Sequence, residues 1–341
     1  DTDGDGLANE YLTHAKGWGV TGNYHEYAYG PAVDGAGNLW VALNCSIGKG
    51  SNPNNQWRGW SLAVKPDGTW SPVSGGFRSP SGIGTNLAGD VFATDQQGNW
   101  FPTCPLMHVK RGTFHGHADA LQFTKLPGAT FEVKQPLPKN LTVAEAAMRI
   151  PAYQLPAVWF PYRKMGMSTT DILADSTKGK FGPFAGQLFC GEFTMSFVSR
   201  VFLEKVDGEY QGACFRFREG LDCAALRLQW GTDGSMYIGQ SNRGWNSLGT
   251  KSYGLQRLQW TRKVPFEIKE MSARPAGFRL TFTQSVDVAT LINPKSYTVT
   301  SYTYPYQSKY GGEPIDLKTH TVKVDGLDTT WQSVQLILDE M

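Results

Sequence analysis

One stretch gathers most of the side chains able to do chemistry: Thr94 to Asp119, TDQQGNWFPTCPLMHVKRGTFHGHAD. Asp95, Gln96, Gln97, Gly98 and Asn99 follow the apolar run Val91-Phe-Ala93, the pattern of a strand ending in a loop of convergent hydrogen-bonding groups. Three of the six histidines, His108, His115 and His117, come next. His115 and His117 fall on the same side of an extended strand, which suits a metal if Asp119 folds back, and equally suits hydrogen bonding between sheets. Elsewhere, His25 in Tyr24-His-Glu-Tyr27 is either a polar loop residue or a proton acceptor. Arg78 and Arg218 each follow a Phe, and such an arginine suits an anionic ligand, sugar hydroxyls or a structural ion pair. Asp1, Asp3 and Asp5 alternate like a calcium loop, but position 12 is Leu12 and Glu10 comes two residues early, so an Asp/Gly turn is the alternative.

These residues need a scaffold, and the composition says which kind. The chain has 341 residues, 39 glycines, 11 tryptophans and only 18% charged residues, a mixture that favours short strands and tight turns. Its length predicts two domains. A net charge of +2 with no basic run excludes a nucleic-acid footprint, and no apolar stretch reaches the roughly 20 residues of a membrane span. Five cysteines (Cys45, Cys104, Cys190, Cys214, Cys223) are widely spaced with no CxxC pair, so zinc sites and c-type haem attachment are unsupported and buried free thiols are expected, with one bridge as the alternative. With no signal peptide or initiator Met, and a strand-like run directly before the last residues, a fragment cut at both ends is expected.

A repeat organises the chain. Leu62-Ala-Val-Lys-Pro-Asp67-Gly68-Thr-Trp70 matches Phe202-Leu-Glu-Lys-Val-Asp207-Gly208-Glu-Tyr210, each a strand, an Asp-Gly turn and a strand. Ala88 to Trp100 echoes Asp233 to Trp245, and Asp34 to Asn44 is a third copy of that piece. Repeated meanders of this size predict an all-β β-propeller whose loops meet at one end of a channel, with Trp100 and Trp245 packing between blades. Residues 127–175 break the pattern and are expected to be an insertion. Within it, Thr142-Val-Ala-Glu145 is a capping box opening a helix from Val143 to Met148. Beyond residue 262 the alternation of 277–283, 296–302, 321–324 and 333–338 predicts a small, truncated β-sandwich of immunoglobulin or fibronectin type over 263–341.

Asp95-Gln-Gln-Gly-Asn-Trp100, His108-Val-Lys-Arg-Gly-Thr-Phe-His-Gly-His117, Phe181-Gly-Pro-Phe-Ala-Gly-Gln-Leu-Phe189 and Asn242-Arg-Gly-Trp245 together form a familiar set. Residues 1–262 resemble the six-bladed propellers of the soluble glucose and L-sorbosone dehydrogenases, in the version found in secreted proteins of planctomycete-like bacteria. The resemblance implies an extracytoplasmic (secreted or periplasmic) oxidoreductase, binding pyrroloquinoline quinone (PQQ) and calcium and oxidising a sugar. A cytochrome c domain outside this chain would be a fitting electron acceptor. It implies His25 as the base, Arg78, Gln96, Gln97 and Arg227 as cofactor contacts, and Gly98 with Asn99 as backbone calcium ligands. The chain departs from the family at Ser79 (usually Asn) and Asn99 (more often Pro). An Arg-Asp pair expected before Gly231 is replaced by Ala225-Leu-Arg227, and a lysine expected near Gly191–Ser196 is missing. These departures favour a second reading, a non-catalytic carbohydrate-binding propeller. A calcium-dependent lactonase is a third, but no inward ring of acidic ligands can be placed for it.

Overall fold

The computed structural model describes residues 1–48, 54–242 and 244–340. Strands β1 (Ala28–Val33), β2 (Leu39–Leu43), β3 (Trp60–Val64) and β4 (Trp70–Gly75) form a first antiparallel meander. The second sheet takes β5 (Gly82–Thr85), β6 (Val91–Thr94) and β7 (Cys104–His108), after which the chain leaves the sheets. That excursion holds β8 (Leu141–Thr142) and helix α1 (Val143–Arg149), opened by the Thr142–Glu145 capping box that the sequence announces. It returns as β9 (Val158–Phe160), the fourth strand of the second sheet. A third sheet follows, β10 (Thr169–Ala174), β11 (Leu188–Glu192), β12 (Phe197–Val206) and β13 (Glu209–Arg218), and then a three-stranded fourth, β14 (Ala225–Trp230), β15 (Met236–Ser241) and β16 (Tyr253–Leu258). Asp207 and Gly208 join β12 to β13 with φ of 50° and 84°, the two positive values a type I′ turn requires.

The four sheets pack face to face in chain order, and each interface is a separate apolar core. Phe77, Ile83, Val91 and Met107 fill the first, Phe92, Leu106, Ile172 and Val201 the second, Phe189, Val198, Leu228 and Ile238 the third. The first strands β1, β5, β10 and β14 adjoin one another at the centre. Such close approach there needs glycine: a Cβ at Gly82 would lie 2.1 Å from the Thr170 carbonyl, and one at Gly84 2.7 Å from that of Ile172. The arrangement is propeller-like, as the repeats predict. Its register differs from that reading, because the matched segments 62–100 and 202–245 each run from the outer strands of one sheet into the inner strands of the next. The described residues supply four sheets of this kind, where the sequence reading expects a six-bladed type left incomplete in this chain. Part of the predicted insertion at 127–175 belongs to the sheets as well, through β9 and β10, so the true excursion ends sooner.

The last part of the chain forms a four-stranded sheet from β17 (Ile268–Arg274), β18 (Gly277–Phe282), β23 (Ser333–Leu338) and β22 (Val322–Leu327), in that order. β19 (Val299–Thr303) pairs with β21 (Ile315–His320), and Val299 packs on the same small core as Leu280, Leu291 and Leu336. These two sheets hold six of the seven strands of this part, an arrangement that does not establish the expected truncated immunoglobulin-type sandwich. Nor do they stand apart: β20 (Pro305–Tyr306) pairs with β8 of the excursion, and Tyr306 donates to the Gly116 carbonyl at 2.7 Å. Arg200, fully buried on β12, donates to the carbonyls of Ile268 and Lys269 at 2.7 and 2.9 Å and so ties the third sheet to β17. Replacing Arg200 by Ala removes a donor from both carbonyls and from the Gln187 side-chain oxygen, leaving the Gln187 amide as the side-chain donor to Lys269. A loss of about 3–5 kcal/mol is expected, read as a fall in melting temperature with faster proteolysis between residues 258 and 268.

Candidate functional site

Asp95 stands at the end of β6, fully buried, and its carboxylate is the hub of the loop that carries most of the predicted site. It accepts from the Arg78 and Ser79 backbone N–H groups at 2.8 Å each and from that of Gln96 at 2.6 Å. Burial pushes its pKa up to about 6, against the pull of these hydrogen bonds and of Arg78. The hub therefore fixes the backbone of Arg78 and leaves its side chain to reach out.

Arg78, Gln97, Gly98 and Asn99 come together, with the carboxy-terminal part of the chain laid across them. The Arg78 guanidinium sits 5.2 Å from the Tyr310 ring centre, and its Nε is buried without a hydrogen-bond partner. A Cβ at Gly98 would lie 2.0 Å from that Nε, so only glycine admits the arginine. The Gly98 carbonyl accepts from the N–H groups of Phe101 and Gly311, at 3.2 and 2.9 Å. Gln97 donates its amide to the Pro102 carbonyl and Asn99 to that of Ser308. Gln96 turns to the third sheet and donates to the Thr169 carbonyl at 2.7 Å. The Gly98 carbonyl thus accepts two hydrogen bonds, and the side-chain amides of Gln96, Gln97 and Asn99 each donate one, all inside the fold. Of these residues, Arg78 keeps a buried side-chain nitrogen without a hydrogen-bond partner.

His25 lies on the lead-in to β1, half-buried, its backbone held by Asn23 and its ring 6.5 Å from Trp245 of the fourth sheet. Trp100 packs instead on Tyr306, so the two equivalent tryptophans serve different partners. Arg243, within the Asn242–Trp245 motif, lies outside the described residues. Asp1, Asp3 and Asp5 bring their carboxylates within 4.8 Å of one another at the exposed amino-terminal segment, where each accepts a nearby backbone N–H. Of the central histidines, burial holds His115 and His117 down at about 3 and lowers His108, so all three are neutral at pH 7. They diverge: His108 stacks on Phe92, His115 meets Ser74, and His117 faces the Cys45 sulfur at 3.6 Å.

A cavity of about 440 Å³ lies between the four first strands. Arg227 of β14 lines it, stacks at 5.0 Å over Tyr29 of β1, and donates to the Ser81 carbonyl near Arg78. Beside it, Asp171 of the adjoining β10 accepts from the Leu228 N–H at 2.9 Å, and burial raises its carboxyl pKa. Sequence reasoning missed Asp171, although a carboxylate inside the apolar run Thr170-Asp-Ile-Leu173 is a readable signal. Asn86 and Gln229 add polar groups to the wall.

No protein-family model matches the chain, and no curated protein matches it. Among solved structures it is similar to a glucose dehydrogenase, at 16% identity and a TM-score of 0.48, over 71% of this chain and 65% of that one. It is also similar to an oxidoreductase (glucose dehydrogenase) from Thermus thermophilus, at 17% and 0.45, over 67% and 64%. A third is the PQQ-bound form of aldose sugar dehydrogenase from Streptomyces coelicolor, at 15% and 0.42, over 67% and 60%. The chain spans 60 to 65% of the length of these proteins. They are of the class the sequence resemblance names, and at such values the likeness assigns no activity to this chain. No helix among the described residues is long and apolar enough to cross a membrane.

The buried hub makes a pH prediction. Because the folded-state pKa of Asp95 lies above its unfolded value, its contribution to stability is full below about pH 4 and is lost as pH rises to about 6. Across that window Asp95→Asn is expected to flatten the slope of stability against pH, measured by denaturant unfolding. An unchanged slope would show that another group sets it.

Proposed function

We propose that the chain binds a small sugar or sugar acid in the cavity between its first strands. The observation that supports this most is a guanidinium and a desolvated carboxyl, Arg227 and Asp171, sharing one cavity with the face of Tyr29. A volume of about 440 Å³ suits a ligand of monosaccharide to disaccharide size. Carboxylate and guanidinium forks match vicinal hydroxyls, and the guanidinium also matches a carboxylate on the ligand. This is the carbohydrate-binding reading, with an extracytoplasmic setting.

One observation favours the oxidoreductase reading beside it. The buried, unpartnered Arg78 Nε is the kind of donor an anionic cofactor such as PQQ would engage. Under that reading His25 is the proton acceptor, and electrons leave to a partner such as a cytochrome c domain. The commitments of Gln96, Gln97, Gly98 and Asn99 weigh against it, so sugar binding without the quinone is the conclusion we favour.

Titration with aldoses and aldonic acids, followed by tryptophan fluorescence, is expected to give saturable binding. Asp171→Asn and Arg227→Ala should each weaken it about 10- to 100-fold, the cost of one lost charged hydrogen bond, with the melting temperature little changed. Absence of binding by both ligand classes would overturn the proposal. Saturable uptake of PQQ with calcium, followed by dye reduction on adding an aldose, would restore the dehydrogenase reading instead.

A further inference from the structure

We propose that Cys45, His117 and Asp119 form a binding site for a single zinc-class metal ion, separate from the axial cavity. One sulfur, one imidazole nitrogen and one carboxylate oxygen from these residues lie within 4.8 Å of one another. Cys45 Sγ and His117 Nδ1 are 3.6 Å apart. Two ligands at ordinary zinc distances and a tetrahedral angle stand roughly 3.6 Å apart, so the pair is already spaced to share an ion. Asp119 sits at the solvent edge, where rotation of its side chain closes the remaining gap and where an ion would enter.

The alternative for the pair is a plain hydrogen bond, which the proton count allows in one tautomer only, with Nδ1–H of His117 donating to the sulfur. Cys45 Sγ lies 3.0 Å from the Phe77 carbonyl, to which its single proton is directed. The sulfur then has none left for Nδ1, and the two lone-pair-bearing atoms face each other unless the imidazole carries its proton there. A cation between them resolves the contact. The ligand types agree: thiolate with neutral imidazole and carboxylate is a borderline-soft set that takes zinc or cobalt over calcium or magnesium. Arg78 lies close enough to act on all three groups, which disfavours a bare cation. With Cys45, Asp119 and Asp95 ionised, however, the formal charges of a divalent ion and Arg78 cancel theirs. The surroundings hold the ligands in place: the Cys45 N–H donates to the Arg78 carbonyl, the His117 N–H to that of Gly76, and a Cβ at Gly59 would lie 2.7 Å from the sulfur. Three protein ligands leave a fourth position for water or an incoming ligand.

The test uses the untagged chain, stripped with chelator and titrated with zinc chloride or, for its spectrum, cobalt(II) chloride. One equivalent is expected to bind, with a near-ultraviolet thiolate-to-cobalt charge-transfer band that the acidic cluster at Asp1, Asp3 and Asp5 has no sulfur to produce. Cys45→Ser should abolish the band, and Asp119→Asn, at the solvent edge, should weaken zinc binding at least tenfold while the protein stays folded by circular dichroism. Asp3→Asn should leave the band intact. A wild-type chain without the band, or zinc affinity unchanged in both Cys45→Ser and Asp119→Asn, would overturn the proposal.

Discussion

A buried carboxylate closing the end of a second strand is the constraint on which this structure turns. Asp95 at the end of β6 accepts from the two N–H groups just ahead of its own sheet's first strand, those of Arg78 and Ser79. Glu192 at the end of β11 does the same for Met167 and Ser168 ahead of β10, and burial raises its pKa. In the fourth sheet the charge is absent but the device persists, with Gln240 donating to the Cys223 carbonyl and Asn242 accepting from the Ala224 N–H. Backbone donors at a loop mouth have no ladder partner, and leaving them buried and unpaired costs about 1–3 kcal/mol each. The acidic side chains satisfy them and so fix where each loop begins.

Close packing at the centre follows from the same economy of partners. Thr94 donates to the Thr170 carbonyl, Thr169 to that of Asp95, and Thr170 to that of Ala225, a chain of hydroxyls linking the second, third and fourth sheets. These bonds need backbones nearly in contact, which Gly82, Gly84 and Gly191 permit. The same strands, with Gly82 and Gly84 among them, line the cavity. Arg227 reaches to stack on Tyr29, so the first and fourth sheets meet at the cavity through a side chain.

Much of this was legible in the sequence. Asp-Gly turns between period-two runs gave the hairpins, and aligning Ala88–Trp100 with Asp233–Trp245 puts Asp95 opposite Gln240, the two residues that perform the same closing role. The capping box at Thr142 is as local as a signal can be, and it holds. What local pattern could not show is which sheet a short strand joins. Val158–Phe160 is three residues among prolines, and its place beside β7 is decided by the core it shares with Phe92 and Leu106. Equally hidden was the pairing of Cys45 with His117, which lie 72 positions apart and meet only because the Gly75–Phe77 turn draws both loops together.

The carboxy-terminal strap is where family resemblance and geometry part. A loop reading Asp-Gln-Gln-Gly-Asn-Trp invites the expectation of free carbonyls and amides, because sequence shows the donors and not their partners. Here Tyr304 to Gly312 crosses that loop: Trp100 donates its N–H to the Gln307 carbonyl, Tyr310 covers Arg78, and Gly311 takes the Gly98 carbonyl. The strap reaches across some 200 residues of sequence, as the 209-position separation of Asn99 and Ser308 shows. A polar loop satisfied in this way has exchanged ligand contacts for internal ones, since each carbonyl has two lone pairs and Gly98 has used both. Arg78 keeps its unpartnered nitrogen beneath the strap, while a guanidinium and a carboxyl, Arg227 and Asp171, share the wall of the axial cavity. Ligand chemistry of this fold is therefore to be sought where such side chains converge on open space, not where the motif is most familiar.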